Sequence, residues 1–421
     1  MPILLSLLTV GTLLRPFHAW ASTPPMGWNS WDCFGTGVTE AQTRDNAAYM
    51  AANLKRHGYD LITVDIDWFV PGAKGFGYTP GVEIAMDGYG RPLPALDRFP
   101  SAAQDKGFKP LADWTHRQGL KFGVHLLRGI PRKAVEKNLP ILGTSYHAAD
   151  IANKNDVCPW NPDMYGVDMT KPGAQAWYDS LFALLAKWGV DFVKVDDLSR
   201  PYHQPEVEAI RKAIDKTGRR MVFSTSPGAT PLESGPHVQT HANMWRVSDD
   251  FWDSWDALKE QFERLDRWTP YRGAGHWPDA DMIPLGAVRV GQRDEGSHFT
   301  PTEGQTLMTL WSIARSPLIL GGHLPKTDAT TLALITNDEV ISVNRTSKNN
   351  RQIWRRGDQI AWVADVPKSR DKYVALFNAA EQYRRDDSRA AFRADLTRNT
   401  PGQAISVDVD TKGAKRVWIV A

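Results

Sequence analysis

The chain has 421 residues, 42% of them hydrophobic, enough for one large buried core and a smaller second one. Lys and Arg total 50 against 48 Asp and Glu, a formal net charge of +2 with no dense basic tract, so neither nucleic acid nor an anionic membrane surface is an indicated partner and the substrate is expected to be small or neutral. Two cysteines, Cys33 and Cys158, exclude a disulfide-dense scaffold and a Cys-rich zinc site; one bridge or two buried thiols remain open.

At the N-terminus an apolar run, Ile3 to Leu14, precedes Ala19-Trp20-Ala21, which has the form of an export-signal cleavage site before Ser22. Residues 1–21 are therefore expected to be a signal peptide and the protein to be exported, periplasmic or extracellular. The n-region lacks Lys and Arg, and the alternative is a buried N-terminal segment. No later stretch is long and apolar enough to span a bilayer.

From Ser22 onward strand-like runs alternate with helical ones, the pattern of a parallel α/β fold. Eight strands are expected: Met26 to Trp31, Leu61 to Asp65, Lys121 to His125, Asp191 to Val195, Met221 to Ser224, Met244 to Val247, a weak one leading into His276, and Pro317 to Leu320. Apolar residues recur at three and four in Thr39 to His57, Gly173 to Trp188, Pro205 to Thr217 and Asp253 to Leu265. Eight such units over roughly 300 residues predict a (β/α)8 TIM barrel, here 22–343. Beyond that, short period-two runs (Gln352 to Trp354, Gln359 to Val363, Tyr373 to Phe377, Ile405 to Val409, Arg416 to Val420) predict a small C-terminal antiparallel β-sandwich domain, 344–421. The loops Trp68 to Phe99 and Arg128 to Lys171 are long, and long loops in a compact domain are usually functional.

The candidate chemistry lies at strand ends. WGVDFVKVDD, Trp188 to Asp197, is a buried strand that delivers Asp196 to the barrel's C-terminal mouth, where barrel enzymes keep their active sites; an ordinary helix cap is the alternative for any single such acid. Three more strands end in acids: TVDIDW with Asp65 and Asp67, MWRVSDDFWDSW with Asp249 and Asp250, and GHWPDAD with Asp279 and Asp281. Four acid-bearing strand ends on one mouth fit glycoside hydrolysis, which needs two carboxyl groups flanking the scissile bond. The 17 tryptophans, many beside Asp, Asn or Pro, suit sugar rings, though tryptophan is also core material. His276, alone among acids, reads as a hydrogen-bonded core residue rather than a metal ligand; no metal and no cofactor are expected.

PPMGWNSWDCFG, WGVDFVKVDD, MWRVSDDFWDSW and GHWPDADMIPLG, in this order, resemble glycoside hydrolase family 27, the retaining α-galactosidases of clan D; SPLILGGHL and NDEVISVNR resemble the family's eighth strand and the lead into its β-domain. The resemblance implies a retaining exo-glycosidase, in the first instance an α-galactosidase, acting on an oligosaccharide or glycoconjugate. It places the nucleophile on Asp196 and the acid/base on Asp250, with Lys194, Arg246 and Asp65 on sugar hydroxyls and Trp28 against the ring. Asp196 is then expected to be ionised, and Asp250 to titrate high through burial and acidic neighbours. Asp67, His125, Arg128, Ser226 and Asp279 complete the expected substrate-binding set. Asp197 and Asp249 are expected to point elsewhere by strand alternation.

Two stretches depart from the family pattern. Ile66 stands where α-galactosidases have the second of two adjacent acids, and GVHLLRG replaces a tyrosine-containing G-I-Y pattern, bringing His125 and Arg128 to the mouth. An α-glucoside of the isomalto-dextranase type or a β-L-arabinopyranoside is the alternative substrate, and a non-catalytic sugar-binding protein is the alternative class. The loop Ser224 to Gly228 corresponds to the family's reader of the C2 substituent, or is a plain turn. The third loop brings Asp156, Cys158, Trp160, Asp163 and Asp168 near the mouth, to shape the leaving-group side or merely to cover the rim.

Overall fold

Eight short parallel strands organise the chain: β1 (Met26–Asn29), β2 (Leu61–Val64), β3 (Lys121–Leu127), β4 (Phe192–Asp196), β5 (Val222–Thr225), β6 (Met244–Arg246), β7 (Trp277–Asp279) and β8 (Leu318–Leu320). The structure is a computed structural model that describes residues 16–293 and 295–380, with three further two-residue strand segments at 394–395, 405–406 and 418–419. Each strand bonds to its successor from β1 to β7, and β8 pairs with β1, Leu318 opposite Met26. The last seam closes just beyond β7, where Ile283 bridges Leu320 and donates its N–H to the Ile319 carbonyl at 2.7 Å. The result is the expected (β/α)8 barrel. Strand ends lie within two residues of those expected, and the weak seventh strand begins at Trp277, immediately after His276.

The helices that follow each strand are α1 (Glu40–Tyr49), α2 (Lys109–Arg117), α3 (Ala174–Trp188), α4 (Gln204–Lys216), α5 (Gly235–His241), α6 (Trp255–Arg267), α7 (Pro301–Ala314) and α8 (Asp338–Thr346). Their ends are written locally. Thr39 with Gln42 and Thr300 with Glu303 form capping boxes, each satisfying two backbone donors, and Pro301 fills the first turn of α7. Gly189, at φ +86°, turns the chain out of α3 and into β4.

The C-terminal part forms an antiparallel sheet of β9 (Lys348–Arg356), β10 (Gln359–Asp365) and β11 (Lys372–Asn378). Phe377 packs edge-on against Phe262 of α6 at 4.9 Å, which docks the sheet on the barrel. The expected runs Ile405 to Val409 and Arg416 to Val420 lie largely outside the described residues; Trp418 and Ile419 pair with β11.

The barrel does not begin at Ser22. Pro16–Ala21 is a 3-10 helix set against the N-terminal end of the barrel, with Phe17, His18 and Ala21 buried. The Trp277 indole donates to the Ala21 carbonyl at 2.8 Å and the Asn243 amide to the Phe17 carbonyl at 3.1 Å. Arg211 lies over the Phe17 and Trp20 rings at 4.5 and 5.0 Å. Cutting between Ala21 and Ser22 would strip these partners away. A chain starting at Ser22 should melt about 2–3 °C below one starting at Pro16, from the Phe17 burial alone; differential scanning calorimetry of the two truncations checks this.

Candidate active site

The C-terminal strand ends enclose a chamber of about 640 Å³ whose wall includes Asp65, Lys194, Asp196, Arg246, Asp250 and Asp281. Lys194 and Asp196 sit two residues apart on β4, so the pleat turns both inward. Arg246 ends β6, and Asp250 follows four residues later.

The charges are matched. Lys194 Nζ lies 3.1 Å from Asp65 Oδ2, which also accepts from the Asn29 amide at 2.7 Å. Arg246 lies 2.9 Å from Asp281 and 3.3 Å from Asp250. His125, fully buried, places Nε2 2.6 Å from Asp196 Oδ2, close but off the ideal hydrogen-bond direction. Burial works against ionisation of Asp196, yet His125 and Lys194 outweigh it and hold the carboxyl below the ordinary Asp range. Asp65 is likewise buried and is brought down to about 2, chiefly by Lys194 and then His125. Lys194 stays an ammonium, since Asp65 and Asp196 overcome its desolvation. Asp250 differs from expectation: its side chain is 54% exposed at the chamber rim rather than buried.

Five of the expected residues therefore meet at the chamber: Asp65, Lys194, Asp196, Arg246 and Asp250. The others lie behind its wall. Trp28 is 0% exposed, donating its indole N–H to the Gly322 carbonyl, and Trp31, past the strand end, lines the chamber in its place. His125 touches Asp196 from below. Asp67 is buried against Asn161, and Ser226 is buried with no partner for its hydroxyl, while the adjacent Pro227 and Gly228 reach the wall. Asp279 is buried and accepts the Asp281 N–H at 3.0 Å, and Asp281 takes the chamber position. Asp197 and Asp249 do touch the wall, but Arg128 and Arg200 occupy their carboxylates.

Arg128 is the largest departure. It is buried, and its five N–H donors go to Asp156, Asp197 and Glu206, with its backbone N–H on the Asp196 carbonyl. Asp156, His203 and Glu206 are close enough together to hold a cation, and the guanidinium already supplies that charge. In the third loop only Trp160 of the expected residues lines the chamber; Cys158 is a buried free thiol, as is Cys33, and Asp168 caps its own turn through Thr170. His276 is buried and bonds the Tyr271 carbonyl through Nδ1.

Trp160 and rings that single-residue reasoning missed, Trp31, Tyr78 and Trp252, form the outer wall. Trp31 stacks on Tyr78 at 6.0 Å, Tyr78 leans on Trp160 at 5.3 Å, and Arg289 lies over Trp252 at 4.0 Å. The Trp-rich composition was their only signal.

Burial and then the Asp281 charge push Asp279 up to about 7. A carboxyl raised in the folded state binds more protons than in the unfolded chain, so it costs stability as pH rises from about 4 towards 7. Asp279→Asn should therefore raise the melting temperature at pH 8 and change it little at pH 4, which a thermal melt at the two values checks.

Carboxyl groups with cationic and aromatic neighbours at the C-terminal mouth of a (β/α)8 barrel define a glycoside hydrolase. Residues 163–346 match the family model described as alpha galactosidase A. The chain is 51% identical to the family 27 β-L-arabinopyranosidase of Geobacillus stearothermophilus, solved with arabinose, over 88% of each chain with a TM-score of 0.86. A Bacillus halodurans C-125 protein provisionally called an α-N-acetylgalactosaminidase is 50% identical over 86% of each chain, TM-score 0.77. Alpha-galactosidase A of Cellvibrio japonicus is 28% identical, covering 93% of this chain and 86% of its own. The chain belongs to glycoside hydrolase family 27.

Proposed function

We propose that the protein is a retaining exo-glycosidase whose preferred substrate is a β-L-arabinopyranoside, with Asp196 as nucleophile and Asp250 as acid/base. One observation carries the choice of sugar: Ile66, 1% exposed beside Asp65, stands where the α-galactosidase pattern has its second acid. β-L-Arabinopyranose is α-D-galactopyranose without the hydroxymethyl group on C5, so an apolar side chain in that place loses nothing to a sugar that lacks the hydroxyl. The similarity to the Geobacillus arabinopyranosidase, about twice that to the α-galactosidases, supports the same reading. The α-galactoside reading, first in the sequence, keeps the support of Asp65 and of the family model.

In the proposed reaction Asp196 attacks the anomeric carbon while Asp250 gives its proton to the glycosidic oxygen, and the leaving group departs as an alcohol. Asp250, now a carboxylate, takes a proton from the water that attacks the same carbon. Asp196 is released and the configuration retained. Lys194 and Asp65 hold ring hydroxyls, and Arg246 keeps Asp250 within reach.

A panel of p-nitrophenyl glycosides tests this. The wild type should show a higher kcat/KM on β-L-arabinopyranoside than on α-D-galactoside, and Ile66→Asp should shift that ratio about 10- to 100-fold towards galactoside, the range of a hydrogen bond to a charged group. Equal or better turnover of the galactoside by the wild type removes the sugar assignment, and no turnover of any glycoside removes the enzyme reading.

A further inference from the structure

One carboxyl of the chamber has neither a role in the reaction above nor an arginine or lysine partner among the described residues. Asp32 follows Trp31 just beyond β1 and lines the chamber, yet is only 3% exposed. Its backbone carbonyl accepts from Arg289, but its carboxyl has no hydrogen bond or ion pair to any described residue, and Oδ2 is fully enclosed. The other buried acids of the site each have a charged or hydrogen-bonding neighbour: Asp65 has Lys194 and Asn29, Asp197 has Arg128, Asp281 has Arg246 and the Phe251 N–H, Asp279 has the Asp281 N–H, and Asp196 is ion-paired with His125 while its Oδ1 is also enclosed without a hydrogen bond.

The position is shaped around that group. A Cβ on Gly321, at the end of β8, would fall 1.9 Å from Asp32 Oδ2, so only glycine leaves room for the carboxyl. Burial, followed by the nearby Asp281, pushes Asp32 well above the ordinary Asp range, so the enclosed carboxyl favours its protonated form more than a free Asp does. A buried polar group without a partner is costly, and a fold keeps one where a ligand completes it.

We propose that Asp32 is a sugar-binding residue, its carboxyl hydrogen-bonding a hydroxyl of the pyranose held between Asp65, Lys194 and Asp196. It adds from the end of the first strand a carboxyl contact to a ring hydroxyl. This rests on the site being the glycosidase centre proposed above, and its test is separable from the choice of sugar.

L-Arabinose, the expected product, is the probe, with wild type, Asp32→Asn and Asp32→Ala compared in two measurements. Without sugar, Asp32→Ala should melt a few degrees above the wild type, because removing an unsatisfied buried group relieves its desolvation cost. The arabinose inhibition constant, and KM for the glycoside, should rise about 10- to 100-fold in Asp32→Ala and less in Asp32→Asn, which keeps polar atoms in place. A purely structural Asp32 gives the reverse pattern, a lower melting temperature with the inhibition constant within twofold, and overturns the proposal. Should Asp32→Ala not fold, a twofold or smaller change in Asp32→Asn inhibition by both L-arabinose and D-galactose overturns it equally. If the wild type prefers galactoside, D-galactose replaces arabinose and the same comparison decides Asp32.

Discussion

Asp196→Ala is expected to lower kcat/KM on the preferred glycoside by on the order of 10⁴ to 10⁶, the loss seen when a covalent nucleophile is removed. The melting temperature should fall modestly, since His125 and Lys194 outweigh the desolvation of the carboxyl and are left buried without it in the variant. Asp250→Ala should lose only about 10² to 10⁴, the worth of general acid–base help, and least with a good leaving group such as p-nitrophenol. Azide should rescue Asp196→Ala with an inverted product and Asp250→Ala with a retained one. Losses of equal size in the two variants, with matched azide products, would assign the roles differently. With Asp196 as the proposed nucleophile, the acid limb of kcat/KM is expected to follow its ionisation. His125 and Lys194 hold its carboxyl low, so His125→Phe should move that limb to higher pH, read from a pH–rate profile.

Arg128→Met is expected to have the largest effect on stability. Its guanidinium serves Asp156, Asp197 and Glu206, and removing one partner of a buried ion cluster costs about 3–5 kcal/mol because the others remain buried and uncompensated. In a protein of this size that is a fall of about 3–6 °C. The sign with pH follows from the acids left behind. Burial first of all raises both Glu206 and Asp197 in the intact protein, so in the variant they take up protons readily and the deficit should shrink at pH 5 relative to pH 8. Arg128→Lys should recover little, since an ammonium cannot supply five donors in a planar fork. Had Arg128 been a sugar ligand, its loss would raise KM and leave the melting temperature unchanged; thermal melts at the two pH values, together with KM, separate the two cases.

Much of this site was legible in the chain. Lys194 and Asp196 share a face because a strand has period two, and Arg246 and Asp250 are joined by one strand end and the turn after it; both relations are local and survive any tertiary arrangement. The eight strands were legible for the same reason, each a short apolar run closed by polar residues. The antiparallel strands beyond 348 followed from alternation as well.

What alternation did not determine was the direction of side chains past the strand ends. Asp67, Asp197 and Asp281 have φ of +64°, +62° and +85°, left-handed turns that break the two-residue period just where the chamber begins. This is why Asp281 rather than Asp279 reaches the chamber and why Asp197 turns to Arg128. Trp31 replaces Trp28 because the strand's own tryptophan packs into the barrel while the one beyond it lines the chamber. Partners far apart in the chain were equally hidden: Arg128 meets acids 28, 69 and 78 residues away, and Pro16–Ala21 seals a barrel end built from β6 and β7. The sequence by itself determined the barrel and the acid-bearing strand ends, because those depend on local period, while the choice of Asp196 and Asp250 among those acids came from the family resemblance. Only the tertiary structure decided which acids face the sugar, which are held by arginine, and that Asp32 is left without a partner, because those depend on backbone turns and on contacts between distant segments.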